Sequence, residues 1–176
     1  MNVELAYGRS GLSVDFPPER TVVMEPSHGV GLATEREDFV QALIHPVGSA
    51  PLRDRIKADD RICILFTDST RATPNERIIP WLLEHLQDHP QENILLLNQL
   101  GTHRENTRAE LEEMLSPEVL ANYEVVNHAC QDESGMIQVG EMRDGTPALL
   151  NRRAVEADLR IVTGFIEPHF FAGFSG

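Results

Sequence analysis

The chain has 176 residues, enough for one ordinary domain with a real core, and its 41% hydrophobic and 24% charged content fits a soluble globular protein. A net charge of −13 with no cluster of Lys and Arg argues against a polyanion-binding surface, so nucleic acid and anionic membranes are poor partners. No basic-then-apolar leader opens the chain, no apolar run approaches membrane-spanning length, and two unpatterned cysteines, Cys63 and Cys130, suggest a reducing compartment; the expected location is cytoplasmic.

The opening residues read as short strands: Val3 to Tyr7, a Gly8/Gly11 turn, then Leu12 to Phe16, closed by Pro17-Pro18. Thr21 to Met24 extends again. Thr34 with Glu37 has the pattern of a capping box opening a helix through Phe39, Val40, Leu43 and Ile44, which Pro46 closes. Ile62 to Phe66 is a continuous apolar run of buried-strand length. Pro74 can start the next helix, whose Ile78, Ile79, Leu82, Leu83 and Leu86 keep helical spacing, with Pro80 near its first turn or kinking it. Ile94 to Leu97 is the next buried strand, Thr107 and Glu110 cap a helix carrying Leu111, Met114 and Leu115, and Tyr123 to Val126 is a further strand. After a polar excursion, Leu159 to Val162 gives another. Continuous apolar strands separated by amphipathic helices predict an α/β fold: a Rossmann-like, mostly parallel sheet flanked by helices, with a short N-terminal β-hairpin.

Ligands of such sheets bind outside the carboxyl ends of the strands. Here each core strand runs directly into a polar cluster: Thr67-Asp68-Ser69-Thr70-Arg71 after the first, Asn98-Gln99-Leu100-Gly101-Thr102-His103-Arg104 after the second, and Gly164 through His169 after the last. In the first cluster, hydroxyls and N–H groups ahead of a helix suit an anion, Arg71 can hold a carboxylate by two parallel hydrogen bonds, and Asp68 can orient Arg71 or bind a ribose hydroxyl. The plainer alternative is a helix cap with Arg71 as its solvated neighbour. His103 and His169 titrate near neutrality and can work as general base and general acid. The final Phe170-Phe171-Ala172-Gly173-Phe174-Ser175-Gly176 segment is glycine-spaced, which lets backbone N–H groups approach an anionic ligand closely. Phe170 and Phe171 are read as a wall of the site and Trp81 as core. His128 is a third, weaker candidate, while His28, His45, His85 and His89 are expected to be exposed.

Together, Tyr7-Gly8, Gly11-Leu12, Asp68 through Pro74, Gly101 through Arg104, Asn127-His128 and Glu167 through Gly176 resemble the N-terminal domain of the nickel-dependent lactate racemase family. The resemblance covers the chain as one N-terminal domain, residues 1–176. It implies interconversion of the two configurations of a small 2-hydroxy acid by hydride transfer through a nickel pincer nucleotide, nickel held by a pyridinium-3,5-bisthiocarboxylic acid mononucleotide. By motif match His103 and His169 are the acid/base pair, Arg71 and Asp68 belong to the substrate pocket, and Thr67, Asp68, Gly173 and Ser175 are expected at the cofactor. No metal ligand is assigned in this chain. In the family the lysine that tethers the cofactor and a nickel-ligating histidine lie past the Phe-Ser-Gly segment, and a C-terminal domain forms the other wall of the cleft. The 176 residues alone are therefore expected to bind no cofactor and to be inactive. The exposed cleft wall is expected to favour self-association into a homo-oligomer.

Two other functions compete. A non-catalytic nucleotide- or anion-binding module would use the Thr67–Arg71 turn and the glycine-rich tail, with both histidines structural. A zinc hydrolase would use His103, His128 and His169, although no short His spacing supports it.

Overall fold

The structure, a computed structural model, describes residues 1–25, 29–169 and 171–175. The chain forms two compact units, Met1–Ala33 and Thr34–Gly176. In the first, β1 (Asn2–Leu5) and β2 (Leu12–Asp15) form the expected antiparallel hairpin, with Asn2 opposite Asp15 and Leu5 opposite Leu12. Gly8 and Gly11 turn it with φ of 58° and 75°, a region that side chains with a Cβ disfavour. Thr21 to Met24 pairs with no strand among the described residues. Val22 and Met24 stay exposed there, with no apolar face to bury.

The second unit runs α1 (Glu35–Ile44), β3 (Ile62–Phe66), α2 (Asn75–His85), β4 (Ile94–Asn98), α3 (Arg108–Leu115), α4 (Pro117–Asn122), β5 (Glu124–Asn127), β6 (Met136–Glu141), β7 (Pro147–Asn151), α5 (Arg152–Glu156), β8 (Leu159–Val162), β9 (Glu167–His169) and β10 (Gly173–Ser175). Strands β5, β4, β3 and β8 make one sheet in that order, all parallel, with Ile64 in register with Leu96 and Ile161. The alternation of the strands divides the core. Ile62, Ile64, Phe66, Ile94 and Leu96 pack with Ile79, Leu82, Leu111 and Leu115 of α2 and α3. Cys63, Leu95 and Leu97 face the other way, onto Ala154 and Ala157 at α5. Strands buried on both faces leave no place for polar alternation, which is why β3 and β4 read as unbroken apolar runs.

The capping expectations divide. Thr107 accepts the Glu110 N–H (3.3 Å) and Glu110 accepts the Thr107 N–H (2.8 Å), so α3 has its capping box. Thr34 opens α1 without one. With ψ at 59° its backbone is not extended as a cap's is, and its hydroxyl donates instead to Asp38 (3.1 Å). Pro80 lies in the interior of α2, not its first turn. The polar excursion proves structured: β6 and β7 form an antiparallel hairpin around Gly145, and α5 follows at once. The β9–β10 hairpin and α4 are likewise additions to the sequence reading. Trp81 is half-buried beside Phe39, with ring centroids 5.8 Å apart. His45 is exposed, but His89 is buried and held by the Asp60 carbonyl at 2.8 Å, and His85 is partly buried. His28 lies outside the described residues.

Candidate functional site

Because the four core strands run parallel, their carboxyl ends lie along one edge, and the ladder continues past them. Gln99 N–H donates to the Phe66 carbonyl (2.8 Å), His128 N–H to Asn98 (3.1 Å) and Thr163 N–H to Leu65 (2.9 Å). The Gln99 side chain also donates to Thr163 (2.8 Å). The three polar clusters are therefore tied to each other at their roots, and a cavity of about 320 Å³ opens between them.

Asp68 lines that cavity and is only 4% exposed. Burial pushes its carboxyl up, but hydrogen bonds from Thr70 and from the His103 imidazole outweigh this and hold it below the usual carboxylate range. One oxygen accepts the Thr70 N–H (2.7 Å); the other faces His103 Nδ1 at 2.9 Å. An ionised carboxylate can only accept, so Nδ1 carries a hydrogen, and in the neutral ring Nε2 presents a lone pair. The ring itself is half-exposed on the cavity wall. Arg71 lines the same cavity, and its guanidinium donates to Glu167 (2.8 Å).

His169 sits at the end of β9, opposite Gly173 of β10. Its Nδ1 accepts the N–H groups of Phe171 and Ala172, each at 3.2 Å. The neutral ring therefore carries its hydrogen on Nε2, opposite to His103. His169 is not among the residues lining the cavity, although Glu167, two residues before it, is. The structure thus brings Arg71, Asp68, His103 and Thr67 to one hollow and leaves His169 on the adjoining hairpin. Phe171 is 96% exposed, meets the His169 ring edge-on with centroids 5.8 Å apart and does not line the cavity; Phe170 and Gly176 lie outside the described residues.

For a nucleotide cofactor the fit is partial. Thr67 and Asp68 face the cavity, whereas Gly173 pairs with His169 in the hairpin and does not line it, and Ser175 stands opposite Glu167 there. Among the described residues no group of three His, Cys, Asp or Glu could hold a metal ion. His128 lies beside Asn151 (3.2 Å) in a separate, mainly apolar cavity, which counts against a three-histidine site with His103.

Sequence reasoning missed two features. A buried asparagine network links the strand ends: Asn98 donates to Asn106 and Asn127 (2.9 Å each), Asn127 to the Asn106 carbonyl (2.9 Å), and Asn106 to the Ser69 hydroxyl (2.7 Å). Its signal was present, since Asn98 and Asn127 are polar residues terminating apolar strands. Glu167 was the other; nothing in the sequence marks it as the partner of Arg71, ninety-six positions earlier.

The lactate racemase N-terminal domain family matches residues 7–176. Lactate racemase of Thermoanaerobacterium thermosaccharolyticum is 34% identical over 179 residues, and that of Lactiplantibacillus plantarum 38% over 178; each alignment covers 99% of this chain but 42% of the relative. The solved lactate racemase apoprotein of T. thermosaccharolyticum superposes with a TM-score of 0.81 at 33% identity, covering 100% of this chain and 42% of that one. A Thermotoga maritima protein (TM-score 0.66, 21% identity, 80% of this chain and 36% of that one) shares the fold. The chain spans well under half the length of the curated relatives it matches, and it belongs to the lactate racemase N-terminal domain family.

Proposed function

We propose that this chain forms one catalytic wall of a lactate-type racemase or epimerase acting on a small 2-hydroxy acid. The observation that supports the reading most is the Asp68–His103 contact on the same cavity as Arg71. Arg71, the one cation among the described lining residues when His103 is neutral, takes the substrate carboxylate. His103 Nε2, its lone pair fixed outward by Asp68, accepts the hydroxyl proton as the carbon loses hydride, which avoids building an alkoxide in a dry site. For the return of hydride on the opposite face the donor is the His169 imidazolium. A second hydrogen on Nδ1, which displaces the Phe171 and Ala172 N–H groups, lets Nε2 give up its proton and leave a neutral ring, and the two histidines exchange roles for the other enantiomer.

In this reading the nickel pincer nucleotide, when bound, supplies the acceptor that takes the hydride and returns it. Thr67 and Asp68 would border its polar part. The remaining length found in the relatives supplies the tether, the metal ligand and the far wall, so the 176 residues alone neither bind the group nor turn over lactate. Nickel bound to the isolated chain together with racemisation would overturn that part of the proposal.

The position of His169 outside the cavity favours the second reading, a non-catalytic anion-binding module. Fusing this chain to the rest of the T. thermosaccharolyticum relative, and following L- to D-lactate conversion by chiral chromatography, separates the two. Catalysis predicts that His103→Asn and His169→Asn each abolish turnover at unchanged cofactor content. Full turnover in either variant removes that histidine from the mechanism.

A further inference from the structure

We infer that Glu167 is an internal carboxylate occupying the anion seat on Arg71, which a substrate must displace, and that its charge selects monoanionic over dianionic hydroxy acids. The inference rests on the 2-hydroxy-acid reading of this cavity. Three observations carry it.

First, Glu167 is the single side-chain partner of the Arg71 guanidinium among the described residues, and it approaches one terminal nitrogen at 2.8 Å, where a substrate carboxylate would sit. Second, the pair is exchangeable. The side chains are 41% and 30% exposed, so solvent screens the attraction and an incoming carboxylate in high dielectric can replace Glu167 at small cost. Third, the charges of the cavity are unfavourable to a second anion. With His103 neutral, Arg71 is the one cation among the described lining residues against the carboxylates of Asp68 and Glu167. Asp68 is buried and doubly hydrogen-bonded, so it cannot leave; Glu167, on a three-residue strand, can turn its side chain to solvent.

A monoanion that replaces Glu167 on Arg71 restores the pairing it breaks. A dianion brings a second carboxylate into a hollow that already holds Asp68 and the displaced Glu167, and like charges within a few ångströms repel. Exchange also frees the strand that carries His169 from its one ion pair with the Arg71 turn, so carboxylate binding and the placement of His169 are linked.

The test is a nuclear magnetic resonance titration of the isotope-labelled 176-residue chain with L-lactate and, separately, L-malate, read at the Arg71 side-chain Nε–H. Glu167→Gln is expected to tighten lactate about fivefold, the upper range for a solvated ion pair, and malate by more, which narrows the preference. Glu167→Asp, too short to span the pair but still charged, is expected to tighten lactate while keeping malate weak. Weaker or unchanged lactate binding in Glu167→Gln would overturn the proposal, because Glu167 would then orient Arg71 rather than compete for it. A lactate-over-malate preference unchanged in that variant, or no Arg71 response to either acid in any form, would overturn it as well. The readout is binding without turnover, so failure of the racemase reading, seen in the histidine variants of the fused protein, remains separable.

Discussion

Replacing Asp68 by Asn tests how His103 is held. The substitution is nearly isosteric, and the amide oxygen can still accept the Thr70 N–H now at 2.7 Å. What changes is the atom facing His103 Nδ1, at 2.9 Å: a carboxylate oxygen becomes an amide nitrogen with hydrogens to donate. A hydrogen bond to a charged group contributes about 1.5–3 kcal/mol. Because His103 is 46% exposed, screening trims this to the lower end, about 1.5 kcal/mol, or roughly tenfold in favour of the Nδ1–H tautomer. The amide reverses the preference by about 1 kcal/mol, leaving roughly one ring in six with its lone pair on Nε2. The variant also lacks the negative charge beside the imidazolium that forms on proton uptake. In a Ser-His-Asp arrangement the same replacement lowers kcat about 10⁴-fold; with the half-exposed ring here we expect roughly 10²–10³ in the fused enzyme. The direct assay is the imidazole nitrogen spectrum of the 176-residue chain at pH 8, where His103 should change from the Nδ1–H to the Nε2–H tautomer. An unchanged tautomer, or turnover within threefold of the parent, would refute the reasoning.

Other expectations concern stability and reactivity. Leu96→Ala, at a fully buried position of β4, should lower unfolding free energy by about 2–5 kcal/mol in urea titration, whereas Val162→Ala, mostly exposed on the edge strand β8, should change it by no more than about 0.5 kcal/mol. Thr107→Ala removes half of the α3 capping box and should cost about 1 kcal/mol, while Thr34→Ala, whose hydroxyl caps no N–H of α1, should cost less. The carboxyls of Asp68, Glu110, Glu124 and Asp158 are held below their ordinary values in the folded chain, Asp68 by the balance already described and the others chiefly by hydrogen bonds from Arg104, Arg153 and the Arg61 N–H. The unfolded chain therefore binds more protons, so stability is full above the ordinary carboxylate range and falls as pH drops through the lowered folded values, which acid titration of the melting temperature reads. Burial pushes the Cys63 thiol up to about 11, so iodoacetamide at pH 8 should modify the partly exposed Cys130 and leave Cys63 intact until the chain unfolds.

Much of this architecture was readable because its signals are local. The apolar runs Ile62–Phe66 and Ile94–Leu97 are too short for a helix and long enough for a buried strand, and Thr107 with Glu110 satisfies two helix donors within four residues. The same pattern at Thr34 and Glu37 gave a helix without its box, because the backbone angle of the cap decides whether the hydroxyl can reach. The β6–β7 hairpin escaped notice because it leaves Val139, Leu149 and Leu150 exposed instead of alternating apolar-in and polar-out, and a bulge at Gln138/Gly140 interrupts the register. In the site, Arg71, Asp68 and His103 could be placed together, since each follows a core strand whose direction was fixed. Placement of His169 depends on the β9–β10 hairpin, a short element built around Gly173 with no apolar periodicity to announce it. The Arg71–Glu167 and Asn98–Asn106–Asn127 contacts arise only once distant loops are brought together by the sheet.

The account rests on Arg71 and His103 reading the same small acid. The most direct measurement is a crystal structure of the 176-residue chain with L-lactate bound. We predict the carboxylate on the Arg71 guanidinium in place of Glu167, and the hydroxyl oxygen about 2.6–3.2 Å from His103 Nε2. A lactate seated elsewhere, or one on Arg71 with its hydroxyl turned away from His103, would contradict it.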